Sequence, residues 1–521
     1  MSAPEGATDG RDAADAVEEF PHVDVLIVGA GLSGIGSAWR LSQHCPQRSF
    51  VILEARATLG GTWDLFRYPG IRSDSDMFTF GYPFRAWRGD RTLADGPSIL
   101  TYLTDTATEA GIDRHIRYQT RVEQAAWSSQ HARWTVQVRT GPDQAPGRYT
   151  CSFLWICSGY YDYDNPHRPT FPGEDEFAGT IVHPQHWPED VAWSGRDVVV
   201  VGSGATAVTL VPELAAAASS VTMLQRSPTY MTALPQTDRL ADALRGHLPA
   251  QAAHRMIRAR NVTLSQAFYQ LCRRRPHLAR ALLRRGLAAY IDDPGLLDEH
   301  FTPTYEPWDQ RLCVMPDGDL ARAVADGRAE IVTDHIERFE PQGIRLASGR
   351  LLAADLVVLA TGLKLLPLGG IDLVVDGEEV ELATRFAYQG LMLSGVPNLA
   401  LTIGYTNASW TLRSDLVARF VTRLLRHMDH ADVAYAMPRP PSGATTRPLL
   451  DMTSGYLKRS DHLFPHQSDH DPWRVGQNYL VDTWRLGHAD VTKEMTMVPW
   501  ADVDRVAAAH RVGGAHEEAH R

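Results

Sequence analysis

FAGTIVHPQHWPEDVAWSGRDVVVVGSGATA, residues 177–207, decides how the chain is read. It joins two patterns. The first is Phe177-x-Gly179-x-x-x-His183-x-x-x-Trp187-Pro188, whose spacing follows neither a helix nor a strand period. The second is an apolar run, residues 197–201, that opens into Gly202-x-Gly204-x-x-Ala207 and then a segment of helical composition. A glycine turn between strand and helix lets backbone N–H groups face a pyrophosphate, and the helix dipole favours the negative charge there. One such fingerprint does not decide a fold. Its twin follows residues 23–28 (VDVLIV) as Gly29-x-Gly31-x-x-Gly34. The pair predicts an α/β chain with two Rossmann-like dinucleotide-binding domains. Two such sites in one chain point to electrons passing from one cofactor to another.

The two sites differ in the acid that follows them. Residues 50–53 read as the second strand of the first unit, and Glu54 stands at its end, 20 residues after Gly34. A carboxylate there accepts hydrogen bonds from a ribose diol and repels a 2′-phosphate, so this site suits FAD or NAD. In the second unit the strand at 221–224 ends in Gln225 and Arg226, 18 and 19 residues after Ala207. A neutral residue followed by a cation accommodates a 2′-phosphate, which points to NADPH.

Composition bounds the rest. The chain has 521 residues, room for two or three domains, with 44% apolar and 22% charged residues, an ordinary globular balance. The formal net charge is −11. The first twenty residues carry six acids and one arginine, with no basic n-region and no apolar core. They read as a disordered acidic tail and not as a secretory signal. No run of about 18 apolar residues exists, so a membrane span is not expected. The five cysteines, Cys45, Cys151, Cys157, Cys272 and Cys313, form no C-x-x-C, which indicates neither a disulfide framework nor a metal site and suits a reducing, cytoplasmic environment. A flavin disulfide reductase also has two nucleotide folds, but it needs a redox cysteine pair.

Between and after the nucleotide units the chain is less regular. GGTWDLFRYPGIRSDSDMFTFGY, residues 60–82, reads as a loop rich in glycine, aromatics and charge that packs against a ligand. Residues 120–157 read as short antiparallel strands around the turn GPDQAPG. Residues 236 to about 300 read as inserted helices, with nine arginines and no acid from 255 to 285. The expected meaning is a solvated helical face whose field attracts an anionic cofactor, rather than a nucleic-acid or membrane surface. Residues 355–359 return as a strand, and 395–416 carry the chain back toward the first unit.

At this point the residues carry a family resemblance. The twin fingerprints flanking the 177–188 signature resemble type I Baeyer–Villiger monooxygenases. The stretches GGTWDLFRYPGIRSDSDM, HPQHWPED, GSGATAVTLVPELA and GYTNASWTLRSDL are similar to the ethionamide-activating subgroup, and the match spans roughly residues 20 to 485. The resemblance implies an FAD-binding domain at 21–155 and 375–505 and an NADP-binding domain at 156–235 and 325–374. A helical insert would occupy 236–324, with flexible tails at 1–20 and 506–521. It assigns FAD to Gly29, Gly31, Ser33, Gly34, Glu54, Thr62, Trp63, Asp64, Leu65, Arg72, Ser73 and Asp74, with Val122 at the adenine. It assigns NADP to Val201, Gly202, Ser203, Gly204, Ala205, Thr206 and Ala207, with Gln225 and Arg226.

The same resemblance names Arg311, in DQRLCVMPDGD, as a catalytic arginine oriented by an ion pair with Asp74. It implies NADPH reduction of FAD, addition of O2 at the flavin C4a, and insertion of oxygen beside a ketone carbonyl to give an ester or lactone, with sulfides as further substrates. The alternative is N- or S-oxygenation without true ketone substrates. His183 is expected to act in the linker and not as a base. Trp410 is either a pocket wall or core.

Overall fold

The computed structural model describes residues 21–440, 443–450, 452, 454–503 and 505. The expected tails at 1–20 and 506–521 lie outside the described residues. Two parallel sheets organise the chain. In the first, His22–Val28 pairs in parallel with Phe50–Leu53 on one side and with the second half of Ala145–Ile156 on the other. Leu399–Leu401 extends the sheet beyond Ala145–Ile156, and Ile116–Arg117 extends it beyond Phe50–Leu53. Val25, Leu26 and Ile27 are fully buried, as an apolar run covered on both faces requires.

The strand Ala145–Ile156 belongs to two arrangements. Its first half pairs antiparallel with Arg133–Thr140, which pairs antiparallel with Thr120–Ser128. Only its second half joins the parallel core, so the expected antiparallel element is continuous with the first sheet. Asp372–Val375 also pairs with Thr120–Ser128. The boundary expected at 374/375 therefore cuts through a strand of the first sheet, because strand pairing and not composition sets where the chain crosses back.

The second sheet has five strands, all parallel, in the order Glu330–Thr333, Ser220–Gln225, Asp197–Val201, Leu356–Leu359, Thr180–Val182. Both neighbours of Asp197–Val201 follow it in the chain, Ser220–Gln225 on one side and, after the long insert, Leu356–Leu359 on the other. The carboxyl ends beside it form the switch point where such sheets bind ligands. The signature stretch at 177–188 is partly strand: Thr180–Val182 is the sheet's edge, paired with Leu356–Leu359. Gly179 fits there because a Cβ would lie 2.5 Å from the Phe177 ring and 2.6 Å from the Asp355 carbonyl oxygen.

The insert is mainly helical, with Arg239–His247, Ala250–Arg274, Pro276–Leu287 and Pro294–His300. It also contains a strand, Cys313–Pro316, which pairs in parallel with Met231–Leu234. The arginine-rich helix is not wholly a solvated face. Arg258 is buried and donates from Nη1 to the carbonyl oxygens of Phe78, Thr79 and Gly81, at 2.9, 2.9 and 2.7 Å. These are carbonyls at the end of the short helix Met77–Phe80, where a cation is favoured. No helix among the described residues is long and apolar enough to cross a membrane.

The helix Trp410–His430 packs against Leu32–His44 and carries a buried ion pair. Arg413 Nη1 donates to Asp482 Oδ2 at 3.0 Å, and both side chains are at most 2% exposed. The Tyr405 hydroxyl donates to the same oxygen at 2.8 Å. The pair ties the C-terminal helix Tyr479–His488 to the first domain. Asp482→Ala strands the Arg413 charge without water, and a denaturant titration is expected to show a loss of about 3–5 kcal/mol. A loss below about 1 kcal/mol would mean the arginine finds another counterion.

Candidate active site

Both fingerprint turns are shaped by contacts that exclude side chains. Gly29 has φ +101°, and a Cβ there would lie 2.8 Å from the Cys157 carbonyl oxygen. A Cβ on Gly34 would lie 1.9 Å from the Gly29 carbonyl oxygen. Gly202 has φ +138°, and its Cβ would lie 2.3 Å from the Ala360 carbonyl oxygen. The two helices that follow begin at Gly31 and Gly204, neither with a side-chain cap. By contrast the helices starting at Met77, Gly96 and Arg239 are capped by Asp76, Asp95 and Asp238. Uncapped N-terminal amides leave donors for an anion.

The two N-termini open on one cleft of about 540 Å³. That lies within the range of about 300–1,000 Å³ of ordinary ligand pockets. Gly29, Gly31 and Ser33 line it from the first domain, and Ala205, Thr206 and Thr209 from the second. Ser33 Oγ accepts from Trp410 Nε1 at 2.8 Å, which makes Trp410 a wall of the cleft. Glu54 is buried at the cleft edge. Its two oxygens accept from the Ala30 and Arg56 amides, at 2.7 and 2.9 Å. Burial pushes its carboxyl above the ordinary range, and those amides act the other way. Ribose hydroxyls offered to this carboxylate would relieve the same penalty, so Glu54 fits a dinucleotide.

The loop at 60–82 divides between two tasks. Thr62 and Trp63 line the cleft, and Thr62 Oγ1 is 3.1 Å from the Tyr163 hydroxyl. Asp64 does not line it. Its carboxylate accepts from Arg56 Nε at 2.9 Å and from Arg67 Nη2 at 3.2 Å. Burial pushes Asp64 up, but the hydrogen bond from Arg56 and the two arginine charges outweigh it and hold the carboxyl low. Leu65 also turns away, into the core beneath the second sheet with Phe66 and Tyr68. A short helix, Thr62–Leu65, sends successive side chains to different sides, so four consecutive residues do not face one ligand. Val122 and Ser73 line the cleft, and Ser73 Oγ donates to the Ser75 carbonyl oxygen at 2.9 Å.

Four charges meet where the loop reaches the second domain. Arg72 Nη1 lies 2.8 Å from Asp319 Oδ2, while Arg72 Nε and Nη2 are buried with no partner. Two orphaned donors on a cleft wall fit an anionic or carbonyl ligand. Asp74 and Arg311 line the same wall. Burial pushes Asp74 up to about 6; Arg72 opposes the shift most, then Arg311, and Asp319 adds to it. The expected tie between Asp74 and Arg311 is therefore shared, with Arg72 the stronger influence on the carboxyl. Arg311 Nε donates to the Thr406 carbonyl oxygen at 3.2 Å. Thr406 is fixed in turn by Gln477, whose Oε1 accepts from the Thr406 amide and hydroxyl at 3.2 Å each.

In the second domain the fingerprint behaves unevenly. Ser203 Oγ is 2.8 Å from Thr229 Oγ1, and Val201 and Ala207 are buried in the cores on either face. Gln225 points inward. It is 1% exposed, and its Nε2 donates to the His300 carbonyl oxygen at 2.8 Å and Thr333 Oγ1 at 2.9 Å. The strand Ser220–Gln225 is buried through position 225, and the chain emerges just after it, so Arg226 stands exposed at the strand end. Tyr68 bridges the domains: burial pushes its hydroxyl up, and its hydrogen bond with Thr206 acts the other way.

The signature histidine is a structural cap. His183 Nδ1 accepts from the Gln185 amide at 3.1 Å. Burial lowers its pKa to about 4, so it is neutral at physiological pH. Gln185 Nε2 donates to the Asp162 and Tyr163 carbonyl oxygens at 2.8 and 3.0 Å. The signature thus braces the run Tyr160–Asp164, which lines the cleft and which sequence reading missed. Its YYDYD composition was the available signal. Cys157 is the one cysteine lining the cleft among the described residues; burial pushes its thiol up to about 11. No cluster of three metal-ligating side chains occurs among the described residues.

Comparison with known proteins gives the family and the fold. Residues 88–239 fit the flavin-binding monooxygenase-like family, and residues 27–95 fit an NAD(P)-binding Rossmann-like domain. The FAD-containing monooxygenase EthA of Mycobacterium tuberculosis (strain ATCC 25618 / H37Rv) is 50% identical over 463 residues, 88% of this chain and 94% of EthA. The probable FAD-binding monooxygenase AlmA of Acinetobacter baylyi (strain ATCC 33305 / BD413 / ADP1) is 45% identical over 475 residues, 90% and 94% of the two chains. Among solved structures, an oxidized steroid monooxygenase bound to NADP superposes with TM-score 0.73 at 23% identity, covering 92% of this chain and 100% of that one. An open cyclohexanone monooxygenase gives 0.70 at 19% identity, over 92% and 99%.

Asp74 supplies a pH test. Its raised pKa means the folded chain keeps this proton at pH values where the unfolded chain, titrating near about 4, has lost it. Ionisation therefore removes stability as pH rises through that window to just above 6. Asp74→Asn is expected to be more stable than the parent at pH 7.5, by a margin that closes as pH falls toward 4. Unfolding titrations at several pH values measure it, and a margin independent of pH would show that Asp74 does not titrate there.

Proposed function

The chain belongs to the flavin-binding monooxygenases, and we propose that it is an NADPH-dependent Baeyer–Villiger enzyme holding FAD. It would take a ketone to an ester or lactone with one oxygen atom from O2, and would oxygenate sulfides as well. The observation that carries the reading is that one cleft receives both uncapped fingerprint helices together with Arg311. A single shared cleft is what hydride transfer between two dinucleotides requires, since the reacting atoms must approach to about 3–3.5 Å.

Bound flavin would supply acceptance of hydride and activation of O2. The chain's own residues do the rest. Gly29, Gly31 and the amides after them bind the pyrophosphate, and Glu54 takes the ribose. Thr62, Trp63 and Trp410 wall the flavin. The Arg311 guanidinium, held by the Thr406 carbonyl, keeps a fixed positive charge where the attacking and carbonyl oxygens gain negative charge. An arginine stays protonated at any working pH, so position is the only variable to control. Asp74 and Arg72 set the local field around it. Neutral His183 stays outside the proton chemistry and keeps Tyr160–Asp164 in place.

The coenzyme assignment rests on Arg226 and on the absence of a carboxylate at the ribose position. Anaerobic stopped-flow should show NADPH bleaching the yellow protein much faster than NADH, and Arg226→Ala should raise KM for NADPH far more than for NADH. Equal rates with both coenzymes would overturn the assignment.

Arg311→Ala separates the ketone reaction from simple flavin turnover. The variant should keep its flavin, and ester formation should fall by about 10² to 10³, the loss of about 3–4 kcal/mol of charge stabilisation. NADPH oxidation should continue and release hydrogen peroxide. Arg311→Lys should recover part of the loss, because an ammonium lacks the guanidinium's planar donor fork. Product mass spectrometry on a panel of ketones and sulfides reads both points. Oxygen gained by sulfides and amines but never by ketones would favour N- or S-oxygenation instead.

A further inference from the structure

A second cation lies at the carboxyl edge of the sheet whose strand ends at Arg226, and it comes from the far end of the chain. The helix Gly455–Ser460 is clamped to the loop leaving strand Leu356–Leu359: Leu457 is 4% exposed and packs with Leu365 and Tyr160. Two residues on, Arg459 Nη2 lies 3.9 Å from where a Cβ on Gly362 would stand. That loop touches the second fingerprint directly, through the approach of Gly202 to Ala360. Arg459 therefore sits at the carboxyl edge of the second sheet, on the side where a parallel sheet binds nucleotide.

Arg459 is held below its ordinary pKa by partial burial and then by the Arg226 guanidinium. His167, on the neighbouring segment, is lowered by burial and by Arg459. His167 is bound to the same loop, its carbonyl oxygen accepting from Thr361 Oγ1 at 2.8 Å. Lys364, further along that loop, already faces Asp162 at 3.8 Å. No ion pair from a carboxylate to Arg226 or Arg459 occurs among the described residues. Two like charges from separate segments, brought together in a chain of net charge −11, are stable neighbours when an anion lies between them.

We propose that Arg459 is the second ligand of the coenzyme's 2′-phosphate, so that Arg226 and the C-terminal helix form a two-sided clamp selecting NADPH over NADH. The proposal rests on the NADPH reading above and adds to it the residue and segment that complete the subsite. A phosphate between two guanidiniums gains charge-assisted, geometrically matched hydrogen bonds from both. Arg226 alone, on an exposed strand end, would be one screened contact.

The test uses the FAD-loaded, full-length protein and two fragments that carry no hydride, 2′,5′-ADP and 5′-AMP, titrated by calorimetry. Arg459→Ala should weaken 2′,5′-ADP about tenfold or more and leave 5′-AMP unchanged, with FAD content and the thermal midpoint as in the parent. Arg459→Lys should regain most of the affinity, and Arg459→Glu should lose more than the alanine variant. Arg226→Ala serves as the reference for a phosphate ligand. If Arg226→Ala weakens 2′,5′-ADP and Arg459→Ala does not, the clamp is wrong while the coenzyme reading stands. Equal weakening of both fragments would make Arg459 structural and also overturn the clamp. If the parent itself does not distinguish the two fragments, the NADPH reading fails and takes the clamp with it.

Discussion

Two helix N-termini facing one cleft is the constraint from which the rest of the structure follows. Each presents backbone amides with no side-chain cap, worth about 0.3–1 kcal/mol or more apiece in attraction for an anion. Reaching that state requires backbone approaches only glycine permits, Gly34 over Gly29 and Gly202 over Ala360. Those approaches lock helix to strand, and strand order then fixes which loops surround the opening. The long strand Ala145–Ile156 and the return strands Leu399–Leu401 and Asp372–Val375 make the first sheet a single body spanning most of the chain's length.

Within the cleft the charges are arranged as a chain and not as isolated pairs. Arg72 lies between Asp319 of the second domain and Asp74 of its own loop, and Arg311 lies beyond Asp74. A group that bonds a backbone carbonyl, as Arg311 does, keeps its full charge while staying tethered. His183 is neutral, and burial keeps the Tyr68 hydroxyl and the Cys157 thiol protonated.

The C-terminal third does more than complete a sheet. Arg413 and Asp482 bury opposite charges to hold the last helices, Gln477 fixes the loop that tethers Arg311, and the segment at 455–460 reaches the second sheet. Residues far apart in the chain therefore hold the loop at Arg311 and pack on the loop that leaves the second sheet.

The sequence by itself determined the two nucleotide folds, the acid at Glu54 and the cation at Arg226, because glycine spacing and strand-end chemistry are local. Buried strands such as residues 23–28 and 197–201 announce themselves by unbroken apolar runs. Tertiary structure decided what local pattern cannot encode. Gln225 turns inward because the His300 carbonyl and the Thr333 hydroxyl accept from its amide, while Arg226 lies past the strand's end and is exposed. Thr62 and Trp63 face the cleft while Asp64 is taken by Arg56 and Leu65 by the second core, since a single helical turn distributes its faces among distant neighbours. The shared field at Asp74, the bracing of Tyr160–Asp164 by the 177–188 signature, and the approach of Arg459 to the loop at Gly362 all join residues from separate elements. Long-range packing alone brings them within reach of one another.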